Sequence, residues 1–207
     1  MKIKGVIFDL FGTLIRVERV TNPYKRVLEL AEKAGYGIDE IRQTVLTKDL
    51  PDASSLVNAF GFTDFEREQF LSDLEAELQS VSLFREVPAL LDWLHEEGYR
   101  IGLISNLASP YKKAFYRFAL DAYIEDPVFS CDVGYIKPDP AIYEIARTRM
   151  GVQFDEMLMV GDKPIADVEG PRAAGMHALH LQRLDGARSA ERIRSLDELR
   201  ERLVIHR

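Results

Sequence analysis

From Val87 onward the chain alternates short apolar runs with helix-patterned segments, and this alternation restricts the fold more than any other feature. The runs are Ile101–Ser105, Val128–Ser130, Met157–Val160 and His177–Leu181. Helical patterns separate them: Pro88–Glu97 stopped by Gly98, a segment opened by Ser109-Pro110 that reaches about Leu120, Asp139-Pro140 to Met150, and a short stretch from Gly170-Pro171 to Gly175. Ser195 and Glu198 open a last helix reaching about Val204. A further apolar run, Val6 to Leu10, stands near the N-terminus and is broken by Gly12 and Thr13. Runs this short and this apolar read as strands buried on both faces. Strands joined through helices imply right-handed crossovers, so the expected fold is α/β with a doubly wound parallel sheet.

Residues 16–82 read differently. Asn22-Pro23 has the form of an N-cap followed by a first-turn proline. Val27, Leu30, Ala31 and Ala34 then share one helical face that ends at Gly35. Residues 38–62 carry no clear pattern, with a break at Pro51-Asp52. Thr63 and Glu66 form a capping box ahead of Phe70, Leu71, Leu74 and Leu78. No strand is expected here. The expected organisation is therefore an α/β core of residues 1–15 and 83–207, with a small helical cap subdomain, 16–82, over the end of the first strand.

The formal net charge of −7 argues against a nucleic-acid-binding surface, because phosphate backbones call for a basic one. A small anionic substrate stays open, since a pocket can differ in sign from the whole. The single cysteine, Cys131, rules out an internal disulfide and suits a reducing compartment; it reads as a buried small hydrophobe. No segment has the length of a membrane span, and Met1 to Gly5 lead straight into the first strand. The expectation is a cytoplasmic protein with a small-molecule partner, no nucleic acid and no membrane.

Polar residues recur where the strands end: Asp9, Ser105-Asn106, Asp162 with Asp167, and Lys137 on the loop before Asp139-Pro140. Each has a plain alternative as a turn residue, a solvated lysine or a helix-start acid. Their joint occurrence at successive strand ends is what those alternatives leave unexplained, because parallel sheets bind ligands at that edge. A carboxylate there can act as a nucleophile through a covalent aspartyl intermediate. Several carboxylates repel unless a cation neutralises them, and all-oxygen ligation suits magnesium. A fixed lysine offsets remaining negative charge.

With these residues in hand, the sequence resembles the haloacid dehalogenase-like hydrolase superfamily, whose core is Rossmann-like. The matching motifs are Phe8-Asp9-Leu10-Phe11-Gly12-Thr13-Leu14, Ser105-Asn106, Gly134 to Pro140 with Ile142-Tyr143, and Val160-Gly161-Asp162 through Asp167 to Met176. The resemblance implies Asp9 as nucleophile. It makes Thr13, Ser105, Asn106 and Lys137 substrate-binding, with Ser105, Asn106 and Lys137 also serving catalysis. It implies magnesium held by Asp9, Asp162 and the backbone carbonyl of Phe11, with Asp167 orienting metal and lysine.

One departure divides the implied activities. Family phosphatases carry a second Asp two residues after the nucleophile, and here that residue is Phe11, which moves no proton. The 2-haloacid dehalogenase branch also lacks this Asp, but it replaces the acidic fourth motif and uses no metal. It further calls for a cap arginine, for which Arg16, Arg19, Arg26 and Arg42 are available. The retained Asp162 and Asp167 favour a magnesium-dependent phosphatase of small phosphate monoesters, with Glu18 as a possible substitute acid. The alternatives are a metal-independent 2-haloacid dehalogenase and a non-catalytic phospholigand-binding protein.

Overall fold

The computed structural model describes residues 2–50, 52–60, 62–183, 189 and 191–204; Met1 and Pro51 lie outside them. In chain order the elements are β1 (Gly5–Phe8), β2 (Ile15–Val17), α1 (Pro23–Lys33), α2 (Ile38–Thr47), α3 (Ala53–Ala59), α4 (Asp64–Gln79), β3 (Val81–Leu83) and α5 (Val87–Glu96). They continue with β4 (Arg100–Ser105), α6 (Lys112–Arg117), β5 (Val128–Phe129), α7 (Ser130–Val133), α8 (Pro140–Met150) and β6 (Met157–Gly161). Last come α9 (Gly170–Ala173), β7 (His177–Leu181), β8 (Arg192–Ile193) and α10 (Leu199–Val204).

Six strands pair in the order β5-β4-β1-β6-β7-β8, every pair parallel. The order runs outward from β1 in one direction and then returns to build the other side. The crevice between β1 and β6 is therefore the topological switch point, where parallel sheets bind ligands. The period of two divides the sheet's side chains between two cores. Val6, Phe8, Leu103 and Val160 pack with Leu90, Leu94 and Leu203 on one face. Ile7, Ile104, Met157 and Met159 pack with Ile142, Tyr143 and Ala146 of α8 on the other. Burial on both sides is the reason these strands carry unbroken apolar runs.

Between β2 and β3 lie the four helices α1–α4, which share a third cluster built on Val27, Ala31, Ile41, Val45, Phe70 and Leu74. The capping box at Thr63 and Glu66 is present in full at the start of α4. Asn22 holds the N-cap position of α1 but sits in the left-handed region, and its side chain makes no cap bond. The carboxylate of Glu77 in α4 instead fixes the entry to the helix, accepting the Thr21 and Asn22 amides.

The structure corrects two expectations. Residues 15–17 and 81–83, where no strand was expected, form a two-stranded antiparallel ribbon at the root of the helical insertion. The main sheet also gains β8, a two-residue strand beside β7. No described helix is long and apolar enough to cross a membrane.

Candidate active site

Asp9 follows directly on β1, and its amide donates to Val160 O of β6 at 3.0 Å, which fixes it at the switch point. The chain then folds back sharply. Leu14 and Ile15 amides both donate to Leu10 O at 2.9 Å, and Gly12 donates to Ile15 O at 2.7 Å. Gly12 has φ +88°, and a Cβ there would lie 2.7 Å from Asp162 Oδ2. Glycine thus serves both the left-handed turn and the close approach of the carboxylate from β6. Gly161 plays the matching part for Asp167, since a Cβ would meet its carboxyl at 2.4 Å.

Lys137 reaches this edge from the loop between α7 and α8. Asp139 caps α8 by accepting the Ala141 amide, and its own amide donates to Ile136 O. Asn106 clamps the lysine backbone, accepting from Lys137 N at 2.8 Å and donating to Lys137 O at 2.9 Å. One N–H and the oxygen of the Asn106 amide thus position Lys137, and the residue also lines the neighbouring cavity. The lysine's Nζ is buried and donates to Asp9 Oδ1 at 2.8 Å, Asp167 Oδ1 at 2.6 Å and Ile104 O at 2.8 Å. Three acceptors match the three donors of an ammonium.

Asp167 is 0% exposed and uses both oxygens, the second accepting the Lys163 amide at 2.9 Å. Asp162 accepts from Lys163 Nζ at 2.8 Å through Oδ2, while its Oδ1 is buried with no partner. Ser105 ends β4, buried, on the neighbouring strand. Thr13 is on the same loop as Asp9, but its side chain is fully enclosed and its hydroxyl has no partner.

The electrostatics follow from this crowding. Burial pushes the Asp9 carboxyl up to about 6; Lys137 pulls against this, and the charges of Asp167 and Asp162 add to the rise. Desolvation works to lower the Lys137 pKa, but Asp9 and Asp167 outweigh it and hold the ammonium charged. Carboxylate oxygens of Asp9, Asp162 and Asp167 lie within 4.8 Å of one another. Three carboxylates facing the buried Lys137 and the exposed Lys163 leave negative charge in excess. An all-oxygen donor set with one orphaned buried oxygen fits a hard divalent cation such as magnesium.

Beside the cluster a cavity of about 480 Å³ opens between α1, α2 and the segment after β4. Phe11 forms part of its wall, with its ring edge-on to Tyr111 at 5.5 Å between centroids. Of the four arginines weighed from sequence, Arg42 lines this cavity and Arg16, Arg19 and Arg26 do not. Glu18 is not among the lining residues either, since its carboxylate pairs with Arg16 and accepts from Ser82.

Sequence reasoning missed three residues that hold the site. Lys163 was readable as the neighbour of Asp162. Arg183 sits two residues past β7, a strand-end position, and donates to Thr13 O at 2.8 Å and Gly12 O at 3.4 Å while pairing with Glu86. His180 bonds the Asp162 carbonyl at 3.1 Å, and nothing local marked it.

Comparison with known proteins places this arrangement. A family model described as haloacid dehalogenase-like hydrolase matches residues 3–175. The glyceraldehyde 3-phosphate phosphatase of Methanothermobacter thermautotrophicus is 30% identical over 162 residues, 75% of this chain and 66% of that protein, so the match spans slightly under two thirds of the relative's length. A HAD phosphatase from Thermococcus onnurineus superposes with a TM-score of 0.68 at 26% identity, covering 96% of this chain and 97% of the other. A 2-haloacid dehalogenase from Pseudomonas syringae pv. Tomato does so with a TM-score of 0.69 at 26% identity, covering 98% and 99%. A match that begins before β1 and runs through each strand end carrying the cluster makes this chain an enzyme of the haloacid dehalogenase-like hydrolase family.

Proposed function

We propose that the chain hydrolyses small phosphate monoesters with magnesium, through a covalent intermediate on Asp9, beneath a helical cap formed by residues 16–82. The observation that carries this reading is the Asp162 Oδ1 atom, buried near Asp9 without a partner. A buried carboxylate oxygen left unpaired is costly, and a divalent cation removes that cost. In this reading Asp9, Asp162 and the backbone carbonyl of Phe11 hold the ion. Asp167, with both oxygens occupied, stands behind them and orients Lys137. Bound magnesium supplies charge stabilisation for the phosphoryl oxygens.

The residues divide the remaining work. A carboxylate oxygen of Asp9 bonds to phosphorus as the ester P–O bond breaks, and the electron pair leaves with the alcohol oxygen. Water then opens the acyl phosphate, restoring the carboxylate and releasing orthophosphate. Lys137 keeps Asp9 ionised and presents positive charge to the transferred group. Ser105 offers its hydroxyl to the same group from the end of β4. Asn106 fixes the lysine backbone and so acts by positioning. Phe11 supplies no proton to the departing oxygen.

A second reading, 2-haloacid dehalogenase, is favoured by Phe11 and by the entry of Arg42 into the cavity wall. Phosphate and halide release, each measured with magnesium and with chelator, separates the two. Phosphate release that stops with chelator and returns with the ion is expected, and Asp162→Ala should mimic the chelator. Halide release from 2-haloacids in metal-free protein would replace the phosphatase reading with the dehalogenase one.

A further inference from the structure

The cavity beside the carboxylate cluster has a wall made largely of aromatic and aliphatic side chains. Three aromatic rings frame it: Phe11, Tyr24 and Tyr111, the last two with centroids 6.0 Å apart at 45°. Leu28 and Leu46 from the helical block and Leu107 from the core complete an apolar surface. The cationic groups of the wall, Lys25 and Arg42, are exposed and pair along their own helices with Glu29 and Asp39, and its buried carboxylate is engaged. Glu77 accepts from Tyr111 Oη at 2.6 Å, Thr21 N at 2.7 Å, Asn22 N at 2.9 Å and Thr21 Oγ1 at 3.0 Å. The Asn106 amide is oriented by the Lys137 backbone, which takes its oxygen and one of its two N–H groups. A body rich in hydroxyls would find its partners only at the exposed side of the wall, whereas an aromatic ring would meet edges and faces of other rings throughout.

We infer that this cavity receives the alcohol portion of the substrate, and that the substrate is a phosphomonoester with an aromatic body. The inference rests on the phosphatase reading above and deepens it. The volume of about 480 Å³ is in the range of pockets that enclose a whole small ligand. Phe11 links the two halves of the argument. Its backbone belongs to the loop after the nucleophile, and its ring builds the cavity wall. The residue that removes a proton donor from the site also shapes it for an apolar leaving group.

The test separates ring recognition from leaving-group acidity by comparing two alkyl esters, benzyl phosphate and glycerol 3-phosphate, on the magnesium-loaded full chain. The expected kcat/KM ratio favours benzyl phosphate by at least about 10-fold, the scale on which apolar pockets discriminate. Leu28→Asn and Leu46→Asn, at half-buried positions, should pull that ratio toward one. Calorimetric binding of benzylphosphonate against methylphosphonate gives a readout independent of turnover, with about 10-fold tighter binding of the aromatic compound expected. Release from both esters at a ratio of one or below would overturn the inference and leave the phosphatase reading standing. No release from either ester or from an aryl phosphate, with benzylphosphonate still preferred, would overturn the phosphatase reading and support the cavity's aromatic preference. No release with equal phosphonate binding would overturn both.

Discussion

Two buried charges in this protein, Lys137 in the α/β core and Glu77 in the helical insertion, are satisfied in opposite ways. Lys137 is held by two other charges, Asp9 and Asp167, and its neighbourhood stays unbalanced, with a third carboxylate nearby that has an unpaired oxygen. Glu77 is held by neutral donors only, two amides and the Tyr111 hydroxyl, with the Thr21 hydroxyl shared between it and Asp73 O. It ties the entry of α1 to Tyr111 of the core. A charge held by neutral groups has little left to offer a ligand and acts as a pin. A cluster of charges left unbalanced invites a cation or an anionic substrate, which is why such clusters mark chemistry.

The contrast makes predictions of decreasing size. Asp9→Asn should abolish turnover, by on the order of 10⁴-fold or more as for removal of other enzymatic nucleophiles, with an unchanged circular dichroism spectrum. Near-wild-type rates would remove Asp9 from the mechanism.

Phe11 allows a sharper probe. Without an acid to protonate the departing oxygen, the leaving group must carry its own charge, and general acid catalysis is typically worth about 10²–10⁴-fold. Rates across phosphate esters of graded leaving-group acidity should therefore rise steeply toward aryl esters. Phe11→Asp should flatten the series by raising the alkyl rates most. A flat series in the wild type would mean that another group donates the proton.

The core charge should also matter more to stability than the pin. Lys137→Met leaves Asp9 and Asp167 facing each other without their shared cation. Breaking a buried ion pair in this way costs about 3–5 kcal/mol, read from urea or guanidinium midpoints. A loss below about 1 kcal/mol would show that the two carboxylates accommodate each other by binding a proton.

Glu77→Gln should have the smallest effect, about 1–3 kcal/mol from hydrogen bonds weakened or lost, with turnover retained. Burial pushes the Glu77 carboxyl up, but hydrogen bonds from Tyr111, Asn22 and Thr21 outweigh it and hold it below its ordinary 4.5. The unfolded chain therefore takes up this proton at higher pH than the folded one. The stabilisation is complete above 4.5 and disappears as pH falls through the lower folded value. The gap between wild type and variant should close on acidification. Loss of turnover as deep as in Asp9→Asn would erase the distinction between pin and catalytic cluster.

How much of this was legible in the sequence depended on how far apart the cooperating residues lie. The strands β1, β4, β6 and β7 announce themselves because burial on both faces writes a contiguous apolar run. Their ends announce Asp9, Ser105 and Asp162 because strand-end polarity is local too. The ribbon of β2 and β3 and the strand β8 were invisible, since two or three residues carry no period, and each forms only through pairing with a distant or short partner. Asn106 was found as a polar residue at the right edge, but its grip on the Lys137 backbone spans 31 positions and only the folded chain reveals it.

The sequence by itself thus determined the sheet, its functional edge and the set of charged groups gathered there, because hydrophobic periodicity and strand-end chemistry are written within a few neighbouring residues. Tertiary structure alone decided which oxygens of those carboxylates are occupied, that Glu77 is a pin, and that Phe11, Tyr24 and Tyr111 enclose one cavity. These depend on distances between side chains separated by up to 128 positions, and packing sets such distances where pattern cannot.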